Sequence, residues 1–377
     1  MPSHSELTLW LRVSLTPFLG PVAFHALRTA FGSMAAILAA PPQALLPYLG
    51  AQHRHQIAAG LAHGASDGAV QAALDWLAAD PRRAILTLTD PRYPPALTHD
   101  PMPSPTLFAE GDLASLQPPA IALVGSRRPT PQGRDNAHRF ALALAELDLT
   151  VVSGFAAGID TAAHEGALAA NGRTIAVLGT GIDRVYPAHN RRLVAPICER
   201  GLLLSEYPLG TAPLPANFPR RNRLIASLSL ATLVVEARRH SGSLITARLA
   251  AELNREVMAI PGSIHNPEAS GCHYLLKQGA ALVENIADLL AELPLFFTPS
   301  SPSIASAQPT PSITAAMAEL AGDALLILNA MGFDPIHPDA LTQKLGIPAA
   351  DVYAQLLQLE LSGIVHPIAG GRFQRLS

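Results

Sequence analysis

The sequence is poor in charged residues and almost lacks lysine. Charged residues make up 15% of the 377 positions, the formal net charge is −3, and Lys277 and Lys344 are its two lysines. A weakly negative chain has no overall attraction for nucleic acid, so an anion site would have to be a local concentration of arginines. Guanidinium groups suit that role because they form paired contacts with phosphate and stack on flat rings.

Cysteine and long apolar runs are also scarce. Cys198 and Cys272 stand alone, without a Cys-x-x-Cys pair or a His-rich metal spacing. We therefore expect a reduced, cytoplasmic protein with no structural metal and no cofactor. The first ten residues lack the pattern of a signal peptide, and no apolar run is long enough to span a membrane, so no membrane partner is expected.

Length and composition predict several domains. Apolar residues at three- and four-residue spacing predict a helical accessory domain over 1–80. Its breaker cluster at 16–21 resembles a helix-hairpin-helix turn, although an ordinary helical turn fits better because the Gly-x-Gly hairpin is missing.

Residues 296–318 are dense in Ser and Pro and predict a linker. Three helical segments and two short strands over 319–377 predict a winged helix, whose three cations and six carboxylates favour contact with protein over DNA.

Residues 81–295 alternate short apolar runs with amphipathic helices. The runs are continuously apolar, which is typical of strands buried on both faces. This pattern predicts an α/β domain with an extended Rossmann-like, doubly wound and mostly parallel sheet. The nine candidate strands are 84–88, 106–109, 120–124, 150–152, 174–178, 202–204, 231–235, 257–260 and 281–283.

Five loops that follow these strands are rich in glycine, serine and arginine. Ligands of doubly wound sheets bind beyond the carboxyl ends of the strands, where glycine lets the backbone turn tightly and helix amides face an anion. We therefore expect the five loops to converge on one edge and bind phosphate. The candidate residues are Gly125, Ser126, Arg127 and Arg128; Ser153 and Gly154; Tyr186, Asn190, Arg191 and Arg192; Phe218, Arg220, Arg221, Asn222 and Arg223; and Ser241, Gly242 and Ser243.

Three of the loops have a plainer alternative. The arginines of the first loop could be solvated at a surface turn, and those at 220–223 could pair with Glu206 or Glu236. Asp160 lies one helical turn before His164, so a local hydrogen bond between them is more ordinary than a proton relay.

The sequence contains no recognisable catalytic set. It has no Gly-x-Ser-x-Gly, no paired carboxylates in one loop and no metal triad, so binding is favoured over enzymatic activity. The main alternative is a Rossmann-like nucleotide phosphoribohydrolase, whose Pro-Gly-Gly-x-Gly-Thr loop is not matched at 240–243. A third possibility is a transcription regulator that acts through the winged helix.

An ordered series of motifs runs through the central region. It includes Val-Gly-Ser-Arg at 124–127, Ser-Gly-Phe-Ala-Ala-Gly-Ile-Asp at 153–160, Phe-Pro-Arg-Arg-Asn-Arg at 218–223 and Ser-Gly-Ser-Leu-Ile-Thr at 241–246. The series resembles the DNA-processing protein A family, also called DprA or Smf. The resemblance implies an extended Rossmann fold that binds single-stranded DNA in a positive pocket, forms homodimers and loads the RecA recombinase during natural transformation.

The resemblance also assigns roles to residues of this chain. It implies that Arg127 contacts phosphate near Ser153 and Gly154, and that the loops at 186–192 and 241–243 line the pocket. The family often has lysine after its Tyr-Pro pair, whereas this chain has Ala188. Arg191 or Arg192 is the expected substitute.

Overall fold

The computed structural model describes residues 4–293 and 323–376. The predicted linker at 296–318 lies outside the described residues. The first six helices belong to the N-terminal segment: α1 His4–Ser14, α2 Pro21–Phe31, α3 Met34–Ala39, α4 Pro42–Leu45, α5 Arg54–His63 and α6 Asp67–Ala78.

Helix α1 has two buried faces and so joins this segment to the sheet domain. Trp10 and Val13 pack among the other N-terminal helices. Leu7 and Leu11 on the other face join a hydrophobic cluster that includes the sheet residue Phe108. The helical segment therefore shares part of its core with the sheet instead of standing apart from it.

A nine-stranded sheet forms the centre of the molecule. Its strands are β1 Arg83–Thr87, β2 Thr106–Gly111, β3 Ala120–Val124, β4 Thr150–Ser153, β5 Thr174–Val177, β6 Leu202–Ser205, β7 Ala231–Val234, β8 Glu256–Ala259 and β9 Ala281–Leu282. The nine predicted strands are confirmed, with each boundary within two residues. The spatial order is β1-β2-β6-β5-β4-β3-β7-β8-β9. The seven strands β3 to β9 all run parallel to one another, while β2 runs antiparallel to both of its neighbours, β1 and β6.

The order of the strands reverses at β3. After β3 the chain adds β4, β5 and β6 on one side and then crosses to place β7 on the other, where Val124 is paired with Val234. The loops that leave the carboxyl ends of β3 and β7 therefore diverge. Such a reversal opens a crevice in doubly wound sheets.

Helices cover both faces of the sheet. They are α7 Pro95–Thr98, α8 Pro131–Glu146, α9 Ile159–Ala169, α10 Arg191–Arg200, α11 Asn217–Leu228, α12 Ser243–Glu252, α13 Ser270–Lys277 and α14 Ile286–Ala291. Apolar residues of α8 and α9, such as Phe140 and Ala163, pack on one face. Residues of α11, α12 and α13, such as Leu224 and Leu275, pack on the opposite face. The predicted doubly wound α/β fold is confirmed.

Residues 323–376 form the predicted winged helix. Its elements are α15 Asp323–Met331, α16 Pro338–Leu345, α17 Ala349–Leu361, and an antiparallel pair of strands, β10 Val365–Ile368 and β11 Arg372–Arg375. A separate hydrophobic cluster that includes Ile327, Leu341 and Leu356 forms its core. Within the described parts of the chain, no helix combines the length and apolarity needed to cross a membrane.

Candidate nucleic-acid interface

A cleft of about 890 Å³ opens where the carboxyl ends of β3 and β7 diverge. Its walls include the loops that follow β3, β4, β5, β6 and β7, the first turns of α11 and α12, and the turn that precedes α13. Eleven of the candidate phosphate-binding residues predicted from the sequence line this cleft: Gly125, Ser126, Arg127, Arg128, Tyr186, Phe218, Arg221, Asn222, Ser241, Gly242 and Ser243.

The loop after β3 turns sharply because Gly125 has no room for a side chain. A Cβ atom there would lie 2.6 Å from Ile159 Cγ1 and 2.8 Å from the Glu236 carbonyl oxygen. The next amide, of Ser126, donates to that same carbonyl at 2.7 Å. This packing fixes the loop against β7 and α9 and leaves the side chains of Arg127 and Arg128 exposed.

An aromatic ring connects three of the converging segments. The Arg127 guanidinium carbon lies 5.4 Å from the centroid of the Phe218 ring, and the Arg221 guanidinium carbon lies 6.0 Å from it. The ring of Tyr186, from the loop after β5, is 5.7 Å from Phe218 and 46% exposed. Arg127, Phe218 and Arg221 therefore lie on the same side of the molecule, in one cleft.

Arg221 lines the floor of the cleft but is itself buried. Its Nη1 group donates to the carbonyl oxygens of Gly154, at 2.6 Å, and of Val177. Burial lowers the pKa of this guanidinium to about 10, with Asp160 opposing the decrease. Arg221 therefore remains charged at neutral pH and holds the loops after β4 and β5 together.

Asp160 is the buried carboxylate that faces Arg221, and Gly154 makes room for both. A Cβ atom on Gly154 would lie 2.7 Å from Asp160 Oδ2 and 2.8 Å from Arg221 Nη2. Burial raises the pKa of Asp160, and the nearby Arg221 counteracts that rise. Gly154, expected near the phosphate, is buried and does not line the cleft, and its small size accommodates an internal charge pair.

Two further candidates are fully buried and do not line the cleft. The Ser153 hydroxyl donates to the Leu123 carbonyl at 2.7 Å, which ties β4 to β3. The Asn190 side-chain amide donates to the Phe155 carbonyl at 2.9 Å, and its oxygen accepts from the Thr161 hydroxyl. The structure thus corrects the expectation that Ser153 and Asn190 contact DNA, since their polar atoms are occupied inside the protein.

The remaining arginine candidates lie outside the cleft lining. Arg223 pairs with Asp100 and Glu206, so the alternative of an internal ion pair with Glu206 is correct for this residue. Arg192 pairs with Glu165 beside α9. Arg191 and Arg220 are exposed, but neither lines the cleft. Neither Arg191 nor Arg192, the expected substitutes for a lysine beside Tyr186, lines the cleft.

The loop after β7 contributes cations that the sequence reasoning did not select. Arg238, Arg239 and His240 all line the cleft. Arg239 lies 4.6 Å above the ring of Tyr274, and Arg238 pairs with Glu268. Arg238 and Arg239 follow a buried parallel strand, as Arg127 and Arg128 do. The same sequence pattern therefore could have identified them as candidates.

The cleft is positively charged although the whole chain is negative. Among the described residues, its lining holds five arginines (Arg127, Arg128, Arg221, Arg238 and Arg239) and two carboxylates (Asp160 and Glu268), which gives +3 with His240 neutral. The full chain carries −3. The positive charge is thus concentrated at one edge of the sheet, as an anion-binding surface requires.

His164 does not form the expected hydrogen bond with Asp160. Its Nδ1 lies 2.7 Å from the Thr174 hydroxyl, which in turn donates to the Val151 carbonyl. His164 Nδ1–H is therefore the donor, and burial lowers the pKa of the ring to about 3. The residue is a neutral core histidine. Residues 4–293 and 323–376 contain no cluster of histidine, cysteine and carboxylate side chains that could hold a metal ion.

Glu236, at the end of β7, caps the first turn of α8. Its carboxylate accepts from the Thr130 amide at 3.0 Å and from the Thr130 hydroxyl at 3.2 Å. Gly133 leaves the space that this carboxylate occupies. Burial raises the pKa of Glu236 to about 7, and Glu268 adds to the rise while Thr130 opposes it.

This raised pKa predicts a pH dependence of stability. The folded state holds a proton on Glu236 at pH values where the unfolded chain has lost it, so its contribution is complete below about pH 4.5 and is lost as the pH rises through about 7. A shift of this size corresponds to about 3 kcal/mol at most. We expect the free energy of unfolding of wild type to decrease relative to that of Glu236→Gln between pH 5 and pH 8.

Urea unfolding of both proteins at each pH measures this difference. The comparison with Glu236→Gln is needed because His164, with its lowered pKa, acts in the opposite direction between about pH 3 and 6.5. Parallel curves for the two proteins would show that Glu236 is not the titrating group.

These features define a class of protein: an extended Rossmann-like domain with an arginine-lined cleft at its strand-order reversal, followed by a winged helix. Residues 84–294 match the family described as DNA recombination-mediator protein A, and residues 308–371 match the DprA winged helix domain. The first match covers more than half of the chain. The chain belongs to the DNA recombination-mediator protein A family.

Individual relatives agree with this assignment. The chain is 40% identical over 316 residues to protein Smf of Synechocystis, covering 77% of this chain and 79% of the relative. It is 39% identical over 305 residues to protein Smf of Escherichia coli, with 80% of each chain covered. The structure of DNA processing protein A from Streptococcus pneumoniae matches with a TM-score of 0.67 and 35% identity, over 75% of this chain and 96% of that one.

A second solved structure bears on the cleft. The chain matches DNA processing protein A from Helicobacter pylori with a TM-score of 0.51 and 32% identity, over 56% of this chain and 98% of that one. The Helicobacter pylori protein is described as having a unique single-stranded DNA binding mode.

Proposed function

We propose that this protein binds single-stranded DNA in the arginine-lined cleft. The observation that carries the proposal is the convergence of arginines from separate strand-end loops beside two aromatic rings, in a chain whose net charge is negative. A phosphate backbone requires a row of cations, and unpaired bases require flat surfaces on which to stack.

Three arginines are available for phosphate. Arg127, Arg128 and Arg239 line the cleft, and none of them forms an ion pair with another described residue. The hydroxyl groups of Ser241 and Ser243 lie 2.7 Å apart at the start of α12, and both residues line the cleft. Hydroxyl donors of this kind suit a phosphate oxygen next to the guanidinium groups.

The aromatic part of the cleft favours single-stranded over duplex DNA. Tyr186 is about half exposed and lies beside Phe218, so a base can stack on it only when that base is free of its complementary strand. The similarity to the Helicobacter pylori protein, which is described as binding single-stranded DNA, supports the same preference here.

The winged helix is proposed to contact protein rather than DNA. Of the three cations in residues 323–376, Lys344 donates to the Ala330 carbonyl and Arg375 stacks on Phe333. The exposed apolar side chains of α17 are Tyr353, Leu357 and Leu361, which repeat every four residues along one side of the helix. This surface lacks the basic residues with which a helix contacts duplex DNA.

The family assignment supports a finer proposal. We infer that the protein acts in DNA processing during natural transformation, transfers bound single strands to the RecA recombinase and works as a homodimer. The description of the family as a recombination mediator is consistent with such a transfer. The negative charge of the rest of the chain would keep DNA confined to the cleft while other surfaces remain free for protein partners.

Fluorescence anisotropy with a labelled oligothymidine strand and a matched hairpin duplex tests the proposed function. We expect tighter binding of the single strand. Three unpaired arginines predict a salt slope of about −2, which weakens binding roughly 20-fold between about 50 and 200 mM salt. Preference for the duplex, or affinity independent of salt, would contradict the proposal. Release of free base from nucleoside monophosphates would instead support the phosphoribohydrolase alternative.

A further inference from the structure

One of the two carboxylates in the cleft lies where an anionic ligand would be expected. Glu268 Oε1 accepts from Arg238 Nε at 2.6 Å and also from the Nη2 group of that guanidinium. Its other oxygen is 3.5 Å from the Ser126 hydroxyl, in the loop after β3. Glu268 thus faces donors from the loops after β3 and β7, the two strands between which the cleft opens.

These donors are of the kind that bind phosphate. A guanidinium presents parallel N–H groups that suit two oxygens of a phosphate, and a serine hydroxyl beside a tight glycine turn is a common second donor. A carboxylate has the charge and the paired oxygens to occupy the same donors. Arg238 is therefore already neutralised by an internal anion, unlike Arg127, Arg128 and Arg239.

The backbone holds Glu268 firmly in this position. It lies in a single 3₁₀ turn, Pro267–Ala269, which is capped by Asn266, with Glu268 N donating to Asn266 Oδ1 at 3.0 Å. The next helix begins against the loop after β7, because the Gly271 amide donates to the Ala237 carbonyl at 2.7 Å and a Cβ atom on Gly271 would clash with it. The backbone of Glu268 therefore cannot move away from the cleft without breaking this packing, and the side chain is largely buried there.

The arginine is the mobile partner of the pair. The Arg238 side chain is 67% exposed, whereas that of Glu268 is 14% exposed. An exposed guanidinium on a long flexible stem can leave one anion for another at low cost. A DNA phosphate at the mouth of the cleft is the competing anion that the charge of the cleft attracts.

We propose that Glu268 competes with DNA phosphate for Arg238 and so keeps the affinity of the cleft for single-stranded DNA below its maximum. This inference rests on the proposed function of the cleft. Binding of a strand requires Arg238 to exchange its carboxylate for a phosphate oxygen, and the release of the strand is assisted by the return of Arg238 to Glu268. The residue would thus favour transfer of the strand over permanent retention.

Glu268→Gln in the full-length protein tests this inference. Glutamine keeps the shape of the side chain and can still accept one hydrogen bond from Arg238, but it removes the competing charge. We expect the affinity for a labelled oligothymidine strand at low salt to increase about three- to tenfold. The salt slope should steepen by up to about 0.7, because in wild type the carboxylate freed by the exchange takes up a cation and so offsets the counterion that Arg238 releases from the strand.

Glu252→Gln is the matched control. Glu252 pairs with Arg248 on the outer surface of α12, and neither residue lines the cleft. This change alters the net charge by the same amount and also frees an arginine from its partner. We expect it to change the affinity by less than about twofold, since a solvent-exposed pair outside the binding site is screened by salt.

A double substitution identifies Arg238 as the residue through which Glu268 acts. Arg238→Ala alone should weaken binding, and adding Glu268→Gln to it should restore little, because the freed cation is absent. If Glu268 instead positions Arg238 for DNA, Glu268→Gln will weaken binding, and the inference is wrong. It is equally wrong if Glu268→Gln and Glu252→Gln behave alike while wild type binds DNA.

Failure of the proposed function has a different signature. In that case the wild-type protein shows no salt-dependent binding of the oligothymidine strand, and Arg127→Ala makes no difference. If wild type binds the strand but Glu268→Gln does not bind it more tightly, only the proposed competition by Glu268 is wrong, and the proposed DNA binding is unaffected. Thermal unfolding of each variant confirms that the comparison is made between folded proteins.

Discussion

Arg127→Ala should weaken the binding of single-stranded DNA by about ten- to a hundredfold. Arg127 is exposed at the turn after β3, forms no ion pair with any described residue, and lies over the Phe218 ring. A hydrogen bond to a charged group contributes roughly 1.5–3 kcal/mol, which corresponds to that range of affinity. Anisotropy titration of a labelled oligothymidine strand at low salt gives the ratio of dissociation constants.

Arg200→Ala is the control for this prediction. Arg200 is exposed at the end of α10, next to the start of β6, and therefore lies at the sheet edge opposite the cleft. Both variants lose one arginine, so a general loss of positive charge should affect them equally. Equal weakening in the two proteins would show that the cleft is not the DNA site. Arg127→Lys should recover only part of the lost affinity, because an ammonium lacks the planar fork of a guanidinium.

The sheet could be predicted from the sequence because its strands are buried on both faces. Such strands appear as continuous apolar runs, as in Ala-Ile-Ala-Leu-Val of β3, and from β3 onward each is separated from the next by a helix. The convergence of the loops followed from the same pattern, since parallel strands end at one edge. The antiparallel pairing of β2 with β6 was not predicted, because a continuous apolar run has the same sequence pattern whether its strand pairs in the parallel or the antiparallel direction.

The orientation of neighbouring arginines could not be predicted. The segment 220–223 was expected to form one basic cluster, but it lies on helix α11, where each residue is rotated by about 100° from the one before. Arg221 therefore points into the core, Arg223 reaches Asp100 and Glu206, and Arg220 is exposed to solvent. Glu206 was named as an alternative partner, but Asp100 is distant from Arg223 in the sequence, and no local pattern connects these two residues.

Small polar residues at strand ends were ambiguous for a related reason. Serine and glycine occur there both to contact ligands and to join adjacent loops, and the sequence looks the same in the two cases. Ser126, Ser241 and Ser243 face the cleft, whereas Ser153 is used inside the sheet. The glycines also have two different roles. Gly125 allows a tight turn at the cleft, while Gly154 makes space inside the protein for Asp160 and Arg221.

Arg221→Ala should produce the largest loss of stability among the cleft variants. The substitution leaves the Gly154 and Val177 carbonyls without their donor and leaves the buried Asp160 without its nearest cation. Removing one partner of a buried charged network typically costs about 3–5 kcal/mol. Urea unfolding at pH 7 should show a decrease of this size in the free energy of unfolding, and Arg221→Lys should recover part of it.

The pH dependence of this variant separates loss of charge from loss of packing. Burial already raises the pKa of Asp160, and Arg221 restrains that rise, so the pKa should increase further in Arg221→Ala. An acid with a raised pKa in the folded state loses its stabilising contribution as the pH rises through that value. The deficit relative to wild type should therefore be smaller at pH 5 than at pH 8. A deficit of the same size at both values would mean that the cavity left by the side chain, rather than the unpaired carboxylate, accounts for the destabilisation.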